Sequence, residues 1–178
     1  MVANHPQRTR LIWALFGSAL LGGWVIPLYA QPKTGSSQKP NTTVLAKCGV
    51  ALVMPGYLPA GFQLSSFQQD PCPGRMSGYE ALFKGPNSCE FRITGSNGGW
   101  GDGGGNLIRE WKFRSTLLGP VTLWERENSL DAMMLPEEGR PILAAYPNAG
   151  YGFNFGCKAR RFSPEAAKRV IEEVVIQR

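Results

Sequence analysis

From Tyr79 to Thr94 the chain alternates between apolar and polar positions. Tyr79, Ala81 and Phe83 share one parity, with Glu80 and Lys84 on the other; Cys89, Phe91 and Ile93 share a parity, with Glu90, Arg92 and Thr94 opposite. Successive side chains of a strand point to opposite faces, so each segment offers one apolar and one wet face. Leu82 breaks the pattern and is placed to lie under something on the outer side. Gly85-Pro86-Asn87-Ser88 between the two segments is turn chemistry of hairpin length. Glu80 or Lys84 can pair across the hairpin with Arg92 or Glu90, at roughly 0.2–1 kcal/mol per pair.

Further along, the same reading predicts more strands. Leu107, Trp111 and Phe113 lie on one parity, interrupted by Arg109. In 116–126, Val121 and Leu123 oppose Thr122 and Trp124, and Leu118-Gly119-Pro120 kinks the start, because proline cannot donate to a ladder. Residues 142–146 and the alternating Tyr151, Phe153, Phe155 and Cys157 read as a hairpin about the turn Pro147-Asn148-Ala149-Gly150. Residues 129–135 read as one or two helical turns with a serine or asparagine cap. Upstream, 49–54 is a short apolar run, a strand or a buried helical turn. A Pro/Gly bend over 55–62 leads into a strand from Phe62 and Leu64, and 70–78 is a loop held by Cys72.

The last element is a helix. Ser163 caps it, Pro164 sits where its missing N–H costs nothing, Glu165 suits the dipole, and Ala167, Val170, Ile171, Val174 and Val175 form its apolar stripe. The expected class is α+β: an antiparallel sheet of about 6–8 strands covered on one face by the C-terminal helix, stapled by two disulfides.

The N-terminus changes the picture. Arg8 and Arg10 precede an apolar run from Leu11 to Ile26, and Leu28-Tyr29-Ala30 follows. That is the layout of a secretory signal, residues 1–30, cut after Ala30; an uncleaved anchor is the alternative. Residues 31–43 contain no large hydrophobic side chain and read as a disordered linker. A single domain is expected over 44–178. Two of the 19 basic residues and none of the 13 acidic ones fall in residues 1–30, leaving a charge of +4. That mild, scattered excess does not argue for nucleic acid. Lys158, Arg160 and Arg161 form its one cluster, placed to favour an anionic surface or simply to solvate an edge.

His5, the single histidine, lies in the signal. An exported chain without it excludes Ser-His-Asp, Cys-His and His-rich zinc chemistry. Acid–base work then falls to carboxylates or a shifted lysine. Four cysteines, Cys48, Cys72, Cys89 and Cys157, have spacings foreign to C-x-x-C motifs. In an exported chain they read as two disulfides, with three pairings open. The expected one is Cys48–Cys72 with Cys89–Cys157, because the latter two each sit on an apolar strand face. No metal or cofactor is expected.

Gly95 to Gly105 holds seven glycines. It reads either as a binding loop with Trp100 at its tip and Asp102 beside it, or as a flexible connector. It carries no phosphate-loop pattern, and its single near-match to a calcium-binding repeat places the aspartate one residue early. Glu125 with Glu127, or Asp102 with Glu90, are candidate carboxylate pairs of glycosidase type; their plainer reading is charged strand ends. Trp100, Trp111 and Trp124 are candidates to stack on sugars or anchor a partner. Trp111 and Trp124 read as core or near-core. The N-terminus of the last helix beside Arg160 and Arg161 is a candidate anion site, less one donor at Pro164.

Tyr57-Leu58-Pro59-Ala60-Gly61-Phe62, then Phe83-Lys84-Gly85-Pro86-Asn87-Ser88-Cys89, Leu118-Gly119-Pro120-Val121, Gly156-Cys157 and Ser163-Pro164-Glu165-Ala166-Ala167 resemble small exported cyanobacterial proteins of unknown function. The resemblance spans most of 44–178 and rests on turns, a cysteine pair and a helix start. It implies periplasm or thylakoid lumen, favours the Cys89–Cys157 pairing, and carries no catalytic residues. The expected function is therefore a non-enzymatic exported domain that binds a protein or envelope partner through the glycine loop, at Trp100 and Asp102, and the adjacent sheet edge. A periplasmic, lumenal or extracellular home fits, with the membrane touched only through the signal. The alternatives are a carboxylate-based glycan-binding or glycan-hydrolysing domain using Glu125, Glu127 or Asp102, and a structural subunit burying Trp100 against a neighbour.

Overall fold

The structure is a computed structural model that describes residues 39–70, 78–98, 105–135, 140–158 and 160–178. The expected signal, most of the linker, Cys72, Trp100 and Asp102 lie outside the described residues. Among the described residues, no helix is long and apolar enough to cross a membrane.

Among the described residues, nine strands form two antiparallel sheets, together with two α-helices. The elements in chain order are α1 (Thr42–Lys47), β1 (Leu52–Pro55), β2 (Gln63–Gln69), β3 (Gly78–Lys84), β4 (Cys89–Ser96), β5 (Leu107–Ser115), β6 (Gly119–Arg126), β7 (Leu130–Met134), β8 (Gly150–Cys157), α2 (Pro164–Glu172) and β9 (Val174–Gln177). The large sheet has the order β2-β3-β4-β8-β7-β6-β5, and β1 pairs with β9 in a separate ribbon. Two meanders, β2–β4 and β5–β8, thus meet at the β4·β8 seam. Cys89 and Cys157 are opposite residues at the end of that seam and form a disulfide. Cys48 is not a free thiol; its expected partner, Cys72, is not among the described residues.

The central hairpin forms as its alternation dictates. Tyr79, Ala81, Phe83, Cys89, Phe91 and Ile93 are all buried, and Arg92 pairs with Glu80 across the strands and with Glu90 on its own. Asn87 and Ser88 take left-handed backbone angles in the turn, a conformation asparagine tolerates better than most residues. The core face carries a run of rings: Phe91 lies 4.6 Å from Phe83 and 5.4 Å from Phe155, centroid to centroid, and Phe62 and Phe162 pack on the same group.

Beside these rings, Gly95 lies between Tyr79 and Tyr151 in register. A Cβ at Gly95 would stand 2.4 Å from the Tyr79 ring, so glycine is what leaves room for both tyrosines. Their hydroxyls reach β1 and the residue just before it: Tyr79 Oη accepts from Val53 N and donates to Val53 O, both at 2.9 Å, and Tyr151 Oη accepts from Ala51 N at 3.1 Å. Burial raises both phenol pKa values above the ordinary 10, since the phenolate would lose its water.

Several elements depart from the sequence expectation. Residues 130–134, expected as helical turns, form β7: Leu130, Ala132 and Met134 are buried, and the strand pairs with both β6 and β8. Leucine, alanine and methionine favour helix, but two flanking strands satisfy this backbone and override the preference. Residues 142–146, expected as a strand, lie in a 3-10 turn, Pro141–Ala144, and its end. The expected hairpin with β8 is therefore absent; β8 pairs with β4 and β7 instead. The apolar stripe of α2 ends at Ile171. Val174 and Val175 belong to β9, where β-branched residues suit a pleated backbone. α1 begins at Thr42, inside the expected linker, because the Asn41 side chain accepts from Val44 N at 3.1 Å. The α2 cap is as expected: Ser163 Oγ accepts from Ala166 N at 3.2 Å. Ala167, Val170 and Ile171 join the same buried cluster as the core face of the sheet.

Candidate functional site

The face of the large sheet opposite the phenylalanines is built by the second parity of the same strands. One row crosses four neighbouring strands in direct register: Trp124 of β6 opposite Asp131 of β7, Asp131 opposite Asn154 of β8, and Asn154 opposite Arg92 of β4. The next row runs through Met133, Gly152 and Thr94. These side chains line a groove of ≈ 700 Å³, with Lys112, Arg126 and Arg140 at its sides. That volume lies within the range of ligand sites, about 300–1,000 Å³.

The polar row is held in place before any ligand arrives. Asp131 Oδ1 accepts from Asn154 Nδ2 at 2.5 Å, and Oδ2 accepts from Ser129 Oγ at 2.6 Å with Arg126 Nε 3.5 Å away. Arg126 Nη1 also donates to Gly105 O at 2.6 Å, which ties the C-terminal end of the glycine-rich stretch to the groove. Arg140 Nη1 donates to the Leu118 and Pro120 carbonyls. Among the described residues, four cationic side chains and one carboxylate line the groove. Both oxygens of that carboxylate, Asp131, are engaged by neighbouring groups. Trp124 is half-buried, its ring part of the groove wall.

The glycine-rich stretch itself connects β4, in the middle of the sheet, to β5 at its far edge. That step of four strand positions is roughly 19 Å at the usual spacing. The edge strand β5 begins beside it with two exposed apolar residues, Leu107 at 53% and Ile108 at 51%.

The other sequence candidates gather elsewhere. Glu125, Glu127, Arg160 and Arg161 line a smaller cavity of ≈ 270 Å³ beside Cys157. Glu125 lies on the core face and is buried, and Arg161 Nη1 donates to its Oε1 at 2.6 Å. Glu90 lies on the outer face of β4, opposite Gly156, and pairs with Arg92 at 3.3 Å. Trp111 is half-buried and packs against the core, as expected. The first turn of α2 is satisfied by the chain's own groups. Glu165 Oε2 accepts from Ser163 Oγ at 3.0 Å, and its own backbone N–H together with that bond hold its carboxyl below the usual range. Among the described residues, no cluster of His, Cys, Asp and Glu could hold a metal ion.

Sequence reasoning missed the Trp124–Asp131–Asn154–Arg92 row. The alternation of β4, β6 and β8 was visible, and reading β7 as a helix hid Asp131. The register that lines up the four residues joins positions far apart in the chain, and no local pattern carries it. Comparison with models of protein families, with curated proteins and with solved structures finds no match.

Proposed function

We propose that this chain is an exported, non-catalytic binding domain that holds a partner protein or an envelope component in the groove on the second face of its large sheet. The observation that carries the reading is the preformed groove, whose Asp131 carboxylate is already held by three neighbours. A site so arranged presents fixed polar contacts beside an aromatic ring. Gly105, the last residue of the glycine-rich stretch, accepts from Arg126 at the same site. The Cys89–Cys157 disulfide fits an oxidising compartment. A cleaved leader over residues 1–30, the cover of the core face by α2, a Cys48–Cys72 bridge and kinship with small exported cyanobacterial proteins belong to the same proposal.

The test is retention of the full-length protein on native envelope fractions. Thr122→Trp, which fills the groove, is expected to abolish retention, and Leu107→Lys on the exposed edge strand is expected to leave it intact. The reverse result moves the site to the sheet edge.

A hydrolase reading draws on Glu125 and Glu127 lining one cavity. Against it, Glu125 is committed to Arg161. Release of reducing ends from envelope polysaccharide that disappears in Glu125→Gln would establish it.

A further inference from the structure

We infer that β5 pairs with β5 of a second copy of this chain, antiparallel and about a twofold axis at Trp111, so that the large sheet runs on from one copy into the next. Three features of the strand select this occupant and this register.

The first is an open backbone. β5 is the end strand of the seven-stranded sheet. Across the β6–β7 turn Arg126 N donates to Ser129 O. That fixes the alternation along β6: Trp124 and Thr122 turn their backbone groups to β7, and Leu123 and Val121 turn theirs to β5. Opposite Leu123 and Val121 stand Trp111 and Phe113, whose backbone groups therefore face β6. Glu110 and Lys112 point their N–H and C=O groups away from the sheet, where a further strand can add. Residues 107–110, Lys112 and Arg114 are exposed.

The second feature is charge. Charged side chains commonly block an edge strand from pairing; here they block every register but one. In an antiparallel ladder edge-facing residues oppose edge-facing residues. An axis at Glu110 sets that glutamate against its own copy, and axes at Arg109, Lys112 or Arg114 do the same for a cation. An axis at Phe113 sets Lys112 against Arg114. Like charges directly opposite are destabilising. An axis at Trp111 instead sets Glu110 against the partner's Lys112, and Lys112 against the partner's Glu110. Glu110 and Lys112 already pair along their own strand at 3.2 Å, so the dimer joins these pairs into a closed ring of alternating charges and breaks neither. Arg114 then lies diagonal to the partner's Glu110. Arg109, 5.8 Å from its own Trp111 ring, comes opposite the partner's Phe113. Lys168 of α2 stands 5.6 Å from the Phe113 ring of its own copy; like Arg109 it is a long side chain whose charged end can turn to water.

The third feature is apolar. Trp111 and Phe113 are half-buried at the rim of the core. In this register Trp111 meets the partner's Trp111 at a position without ladder bonds, where side chains approach closest. The bulge between Leu107 and Arg109 ends the ladder. A ladder this short makes a weak dimer, with a dissociation constant on the order of micromolar to millimolar.

Opposed residues of an antiparallel pair share a face, so both grooves open on the same side of the joined sheet, each with Lys112 in its lining. On the reading of the groove as the binding site, the pair engages a repetitive envelope surface through both grooves at once, and avidity offsets a weak single contact.

Sedimentation equilibrium of the full-length protein, read from about 1 to about 500 μM, tests the pairing. The average mass is expected to rise toward that of two copies. Glu110→Lys and Lys112→Glu, at side chains 46% and 74% exposed, each set like charges across the axis. Each is expected to weaken the dimer about tenfold or more. Mixed one to one, the two variants restore opposite charges at both positions, and a mixed dimer of wild-type affinity is expected. A single copy throughout overturns the pairing. A dimer that survives in both variants places the interface elsewhere. Loss in both variants without recovery in the mixture overturns the register. Growth past two copies, which joins β5 to β2 at the other end of the sheet, overturns the twofold. Mass is read with no envelope material present, so a failed pairing leaves the groove to the Thr122→Trp retention test.

Discussion

The two faces of the seven-stranded sheet are made by adjacent residues of the same strands, yet they do opposite work. On one face Phe91 touches Phe83, Phe155, Phe62 and Phe162 and is fully buried. One residue on, Arg92 faces the groove, half-exposed, between two glutamates. The first face is where stability resides, because it removes apolar area from water and leaves no room for change. The second face is cheap to alter and holds its polar groups in order, which is what a binding surface requires. A sheet with one covered face can keep the other for recognition without weakening its core.

The sharpest way to break this comparison is to mutate the two neighbours. Phe91→Ala is expected to cost about 3–5 kcal/mol, and Arg92→Ala at most about 1 kcal/mol, both read from urea denaturation midpoints. Similar losses would mean that the groove face is structural. Next in size is the seam that both faces share. Replacing Cys89 and Cys157 together by serine is expected to cost roughly 2–4 kcal/mol and to lower the melting temperature; reductant should act in the same direction. A melting curve indifferent to reductant would show the seam held by its ladder alone.

Gly95→Ala sharpens the core side. Its new methyl meets the Tyr79 ring and lies near Tyr151, and the expected loss is roughly 1–3 kcal/mol. The matching change on the groove face, Thr94→Ala, should stay within about 0.5 kcal/mol. The smallest effect at neutral pH, growing with alkalinity, comes from the buried phenols. Both folded pKa values lie above the ordinary 10. Their contribution is therefore complete below about pH 10. Above that pH the unfolded tyrosines ionise while the buried ones resist, and stability falls by up to about 1.4 kcal/mol per pH unit for each tyrosine. Tyr79→Phe and Tyr151→Phe should each flatten that slope, at the cost of a bond to β1. An unchanged alkaline slope would place the phenols in contact with water.

The core face was legible in the chain almost residue by residue. Tyr79, Phe83, Phe91, Phe153 and Phe155 were placed by their parity, and Cys89 and Cys157 by the faces they occupy. The groove was legible only in fragments. Trp124 was read as core or near-core, since an isolated tryptophan on a strand carries no sign of what lies opposite. Asp131 was lost because a short run of leucine, alanine and methionine has the same composition in a strand and in a helix. Val174 and Val175 continued the helical period of α2, and pairing with β1 took them out of it.

What the sequence by itself determined is which side of most strands is wet and which is dry, and where the turn of the central hairpin and the cap of α2 fall. These follow from bonded geometry and near-neighbour chemistry, which act within a few residues. Only the tertiary structure decided that β4 lies beside β8 and that the chain crosses the sheet to begin β5 at its far edge. It also decided that Trp124, Asp131, Asn154 and Arg92 stand in one row. The order of strands depends on which distant segments share their backbone hydrogen bonds and bury their faces together, a choice made by the whole domain at once.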